Sequence, residues 1–263
     1  MADSPEQTDP ASGESPQSGL VKPFLEHLED LRWTLVKCVV ALAVAMGLCL
    51  FFVRDLIYIS ELPLIWSGVT KDPSKFLLSF GVADSFTITF KVAIFGGLIL
   101  SIPLMLFFIG QFVIPALTKK EKQFLWPAFS GGAIMFLLGV AACYFFLLPQ
   151  TFAITYQFSS YLGFQAQWTI DSYMSFTVQF MIGIGLGCET PVVILVLVRL
   201  GIVTDRFLRK FRPHMIVAIF IVAAVITPTT DIFTLCVVAV PMCILYEICI
   251  WVAWWMERSK KIA

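Results

Sequence analysis

Charge is scarce in this 263-residue sequence. Asp, Glu, Lys and Arg make up 14% of it, against roughly 25% in a soluble domain. The 18 basic residues balance the 18 acidic ones, so bulk attraction to nucleic acid is not expected. Histidine is scarcer still. His27 and His214 stand alone, which leaves no HExxH pair and no second imidazole for a metal. Walker A, GxSxG and paired CxxC patterns are also missing. No catalytic, cofactor or metal constellation is therefore expected, and the chain does not read as an enzyme. A filter-like repeat is absent too, which disfavours an ion channel. The seven cysteines are odd in number and all lie in apolar runs. They read as small buried hydrophobes rather than disulfide partners.

What is abundant is apolar surface. Hydrophobic residues reach 59%, with 25 Phe, and the mean hydropathy is +0.87. A soluble fold of this size could not hide so much, so the bilayer is the expected solvent. A span needs about 20 apolar residues. Candidate runs are Leu35 to Val53, Phe86 to Val113, Phe124 to Leu148 (ended by Pro149), Tyr173 to Val198, Pro213 to Ile226 and Ile232 to Trp255. The fifth, about 14 residues long, is below the usual span; a re-entrant segment and a short helix in thinned bilayer are its alternatives. Every Lys and Arg except Arg54, Lys71, Lys75 and Lys91 falls on one side if all six cross. That side should be cytoplasmic, with both termini on it. Residues 1–19 are polar and read as a disordered tail. The membrane domain is expected over 20–258, with a short basic tail at 259–263.

Four polar features stand out. Glu189 lies within the fourth run, where a carboxylate costs several kcal/mol unless it is met. It is either a neutral structural group or a contact for a partner helix or substrate. Pro191 follows closely, leaves a backbone carbonyl without its amide, and invites a kink. Gly183, Gly185 and Gly187 thin the same helix for close approach. Gln179 sits about three turns earlier, suited to a hydrogen bond with a neighbour. Glu247 in the sixth run and Lys91 in the second are possible partners for Glu189 or for each other. The segment Pro23 to Trp33 has Phe24, Leu28 and Leu31 at helical spacing, with Glu26, Glu29 and Asp30 on other faces. It reads as an acidic amphipathic surface helix, suited to a basic ligand or simply solvated. Glu121 stands among Lys119, Lys120 and Lys122, either in a weak local ion pair or held for an arginine of a ligand.

The order of these segments resembles the TatC family, the multispanning receptor subunit of the twin-arginine protein translocase. The resemblance rests on FLEHLEDLR (Phe24 to Arg32), LPL (Leu62 to Leu64), FVIPALTKKEK (Phe112 to Lys122), YFFLLPQTF (Tyr144 to Phe152), ETPVVI (Glu189 to Ile194), Gly201 to Pro228 and AVPMCILYEI (Ala239 to Ile248). It implies an all-α fold of six transmembrane helices in a cupped, concave arrangement, the fifth and sixth short. It implies binding of twin-arginine signal peptides of folded precursors, TatA-type and TatB-type single-span partners, self-association in a larger complex and use of the proton-motive force. A bacterial inner membrane is the expected location, a thylakoid membrane the alternative. By the same resemblance Asp30 and Glu121 bind the signal peptide, with Glu29 beside Asp30. Glu189 is the intramembrane polar contact, and Pro63 is the proline of the first outer loop. Two departures are visible: Asp30 stands where the family usually has glutamate, and Cys188 where it has an aromatic. The rival reading from the membrane charges alone is an ion-coupled transporter of a small solute; a scaffold without a transport role is another.

Overall fold

The computed structural model describes residues 18–113, 119–164, 166–199, 201, 203–226 and 232–262. Most of the polar tail and the TPTTD turn (227–231) lie outside these residues. Helix α1 runs unbroken from Ser18 to Phe51. The surface segment and the first span are thus one rod, because neither Pro nor Gly interrupts Phe24 to Met46. Its 34 residues rise about 50 Å, well beyond a hydrocarbon core of about 30 Å, so the acidic part projects out of the membrane.

After Phe52 the chain forms α2 (Val53–Trp66), a single turn α3 (Pro73–Phe76) and strand β1 (Leu77–Leu78). Helix α4 (Asp84–Val113) crosses back, and α5 (Lys119–Ala142) returns. The third run does not stop at Pro149. A π-turn at Cys143–Leu147 leads directly into α6 (Leu148–Tyr161). Pro149 occupies the first turn of α6, and the wider π-turn before it accommodates the missing N–H and takes up the register change. Most of the segment from Pro149 to Asp171, between the third and fourth apolar runs, is therefore helix. Strand β2 (Trp168–Thr169) pairs in parallel with β1, Leu77 opposite Trp168, and ties the two outer connections together.

Helix α7 (Ile170–Arg199) passes through Pro191 without interruption. Helices α8 (Asp205–Lys210), α9 (Arg212–Ile226) and α10 (Ile232–Ile262) complete the order. Among the described residues five helices are long and apolar enough to cross a membrane, with α9 a shorter apolar sixth. The 15 residues of α9 rise only about 22 Å. Within α10 the stretch Leu235–Trp254 is apolar enough to cross. The helix itself continues to Ile262 and takes in most of the basic tail expected at 259–263.

Helix α7 is the most buried element and packs against α4, α5 and α10. Glycines set these distances: a Cβ on Gly185 would lie 2.7 Å from Phe136 of α5, and one on Gly187 3.0 Å from Met242 of α10. Helices α1 and α4 meet as closely at Gly97, where a Cβ would lie 2.8 Å from the backbone of Met46. Between α1, α2, α4 and α7 lies an apolar cavity of about 860 Å³, lined among others by Leu48, Leu100, Leu104 and Met181. The cysteines are free thiols, five of them buried, as their apolar surroundings predict.

Candidate functional site

At the end where α4 and α7 begin, polar groups are matched inside the chain. Lys91 Nζ donates to Asp171 Oδ1 at 2.6 Å and to Ser175 Oγ at 3.0 Å. The pair is only about one-third exposed (32% and 38%) and clamps α4 to α7. Pro63 lies inside α2 and is buried. It cannot donate to the carbonyl of Ile59 four residues back. Tyr144 Oη fills that vacancy, donating to Ile59 O at 2.6 Å, and Tyr173 Oη donates to the neighbouring Ser60 O at 2.7 Å. The LPL segment thus packs onto the spans, with Leu64 fully buried. Glu61 beside it is half-buried, and desolvation pushes its carboxyl above the usual range.

Deeper in α7 the situation is the opposite. Glu189 Oε1 is buried with no hydrogen-bond partner. Its other oxygen lies over Gly132 of α5, where a Cβ would come within 2.8 Å of Oε2. Seven residues further along α5, a Cβ on Gly139 would lie 2.5 Å from Cys188 Sγ. Small groups at 132, 139 and 188 therefore bring the two backbones together and leave the carboxylate in a tight slot. An aromatic at 188 has no room in this packing. Gln179 is half-buried on the same helix. No group among the described residues answers Glu189, and neither candidate partner reaches it: Lys91 is held by Asp171, and Glu247 Oε2 is held by Arg212 Nη2 at 2.8 Å.

At the basic end, Glu29 and Asp30 are exposed on α1. The His27 ring stacks on Phe112 near the end of α4, with centroids 4.5 Å apart and planes at 15°. This contact sets the acidic turn of α1 beside the start of the α4–α5 connection. Glu121 belongs to the first turn of α5; its side chain lies outside the described residues. No cluster of three or more metal-type ligands occurs among the described residues. Asp171, Ser175, Tyr144, Tyr173 and Gly132 were not singled out by sequence reasoning. Only Pro63 carried a signal, since an interior proline demands a donor for the carbonyl it abandons.

The family sequence model described as Sec-independent protein translocase protein (TatC) matches residues 26–241. The chain belongs to the TatC family. The TatC protein of Akkermansia muciniphila is 39% identical over 193 residues, which are 73% of this chain and 56% of that one. The chain thus spans little more than half of that relative's length. The TatC protein of Aquifex aeolicus is 30% identical over 91% of this chain and 98% of its own. A solved structure described as a twin arginine translocase receptor, TatC, superposes with a TM-score of 0.76 at 29% identity, covering 86% of this chain and 97% of that one. This TatC-family chain is accordingly a multi-pass membrane protein of the Sec-independent translocase and not a catalytic enzyme.

Proposed function

We propose that this TatC-family chain is the receptor that reads paired arginines in the signal peptides of folded precursors. It works in a bacterial inner membrane with both termini cytoplasmic, self-associates, and organises TatA-type and TatB-type subunits for export driven by the proton-motive force. The reading is supported above all by the His27–Phe112 stack, which brings the exposed Glu29 and Asp30 to the helix end that leads to Glu121. Carboxylates at headgroup depth suit guanidinium forks. Each such charge-assisted bond is worth about 2 kcal/mol, and an ammonium at either position matches less well. The apolar part of the signal follows along the concave cavity. Glu189, unanswered within the chain, serves as the polar contact for a partner helix. The solute-transporter alternative is weakened because Lys91 and Glu247 are both held in internal ion pairs.

The test is binding of a twin-arginine peptide and its twin-lysine counterpart to the purified chain. Asp30→Ala and Glu121→Ala should each weaken the arginine peptide by at least about tenfold and narrow the gap to the lysine peptide. Glu29→Ala shows whether the neighbouring carboxylate shares the role. Unchanged affinity in both Asp30→Ala and Glu121→Ala sinks the receptor-site assignment.

A further inference from the structure

A cavity between α8, the start of α9 and the stretch of α10 around Trp251 belongs to neither site above. It measures about 320 Å³ and is lined by Arg209, Arg212, Ile250, Trp251 and Trp254. Its depth is marked by Trp254, which lies just before the first charges after the apolar run of α10, Glu257 and Arg258. That is where hydrocarbon gives way to headgroups and where indoles concentrate. Its chemistry is cationic. Arg212 gives Nη2 to Glu247 but keeps a buried Nε with no acceptor among the described residues, and Arg209 forms another part of the wall. Its walls are tied together by side-chain contacts. Tyr246 Oη donates to Leu208 O at 3.0 Å, pinning α8 to α10, and Phe207 and Phe211 stack at 4.2 Å.

A second concavity adjoins the first. It is apolar apart from Glu247, runs along α10 from Val240 past Ile244 and Ile248, and shares Trp251 with the cationic pocket. The stretch from Val240 to Trp251 rises about 16 Å, about one leaflet's half of a hydrocarbon core of about 30 Å. A polar pocket and an apolar track of leaflet depth, joined at a tryptophan, match the two parts of a phospholipid.

We infer that this paired site holds one anionic phospholipid of the leaflet at the basic end. Its phosphodiester lies against Arg209 and Arg212, and an acyl chain lies along α10. Guanidinium forks match phosphate oxygens, and basic pockets at the ends of spans favour anionic headgroups. A headgroup bearing its own fixed cation sets that cation beside the guanidinium of Arg212 and is disfavoured. The inference does not depend on the receptor reading above.

The full chain, reconstituted in nanodiscs of equal phosphatidylglycerol and phosphatidylcholine, is released and its retained lipid counted by native mass spectrometry. The wild-type chain should keep phosphatidylglycerol over phosphatidylcholine by about tenfold. Arg212→Lys preserves the net charge and the bond to Glu247 but loses the fork, and should cut that preference about fivefold with an unchanged thermal midpoint. Arg206→Gln removes a charge from α8 outside the cavity and should leave the preference intact. Equal retention of the two lipids by the wild-type chain overturns the site. So does a loss in Arg206→Gln that matches or exceeds that in Arg212→Lys, which would mean diffuse attraction. Displacement of the retained lipid by inorganic phosphate overturns it as well, since the pocket would then be a free-anion site.

Discussion

Lys91 and Glu189 are both single charges on membrane helices, yet their surroundings differ completely. Lys91 meets a carboxylate and a hydroxyl from the neighbouring helix. Glu189 is pressed against a glycine and has one oxygen without a donor. The first arrangement is what folding alone requires, because a cation in a low-dielectric region must be answered from within. The second is costly while the carboxylate is charged; protonation or a donor from outside the chain would relieve it. Polar groups of similar rarity in the sequence thus separate into a braced ion pair and a carboxyl group with one oxygen unmatched among the described residues.

Removing the brace should have the largest effect on stability. Lys91→Met leaves Asp171 unanswered and should cost about 2 kcal/mol, after allowing for the partial exposure of the pair; thermal unfolding in detergent measures it. Adding Asp171→Leu should recover more than half of the loss, and no recovery would mean that Lys91 acts by packing rather than charge. The slot of Glu189 comes next. Gly132→Ala should cost about 1 kcal/mol by overpacking and should shift crosslinks formed from position 189. Gly131→Ala, which meets nothing within 4 Å, should be neutral or stabilise by up to about 1 kcal/mol. Equal effects at the two glycines would remove the argument that α5 shapes the slot. Tyr144→Phe strips the donor from the Ile59 carbonyl and should cost about 1 kcal/mol, seen as faster hydrogen exchange in α2. The smallest change in stability is expected at Glu189 itself. Glu189→Gln should leave the thermal midpoint within about 0.5 kcal/mol of wild type or raise it, while export of a folded precursor falls sharply. A large loss of stability there would place Glu189 with Lys91 as a brace.

Much of this architecture is legible in the sequence, because in a bilayer the length of an apolar run is itself structural information. The runs ending at Val113 and Val198 locate α4 and α7 to within a few residues. The run to Leu148 misleads, since proline stops a helix only when its missing N–H cannot be absorbed, and the π-turn at Cys143–Leu147 absorbs it. The continuity of α1 across Trp33 and Thr34 is likewise hidden by a change from amphipathic to uniformly apolar pattern, which alters the surroundings of a helix without ending it. Glu189 can be picked out from its depth alone. Its isolation cannot, because pairing between helices is a long-range property: Lys91 and Asp171 are 80 residues apart and nothing local couples them. The importance of Gly132 over Gly131 is equally invisible, being a matter of which side of α5 faces α7.

The unbroken α1 carries a mechanical consequence. One rigid body joins the acidic turn on one side of the membrane to the first residues of α2 on the other, with a single residue, Phe52, between the two helices. A rod about 50 Å long that pivots by about 5° moves one end relative to the other by about 4 Å. Whatever draws on Glu29 and Asp30 therefore also pulls on the tyrosine-held segment around Pro63, across the full thickness of the bilayer.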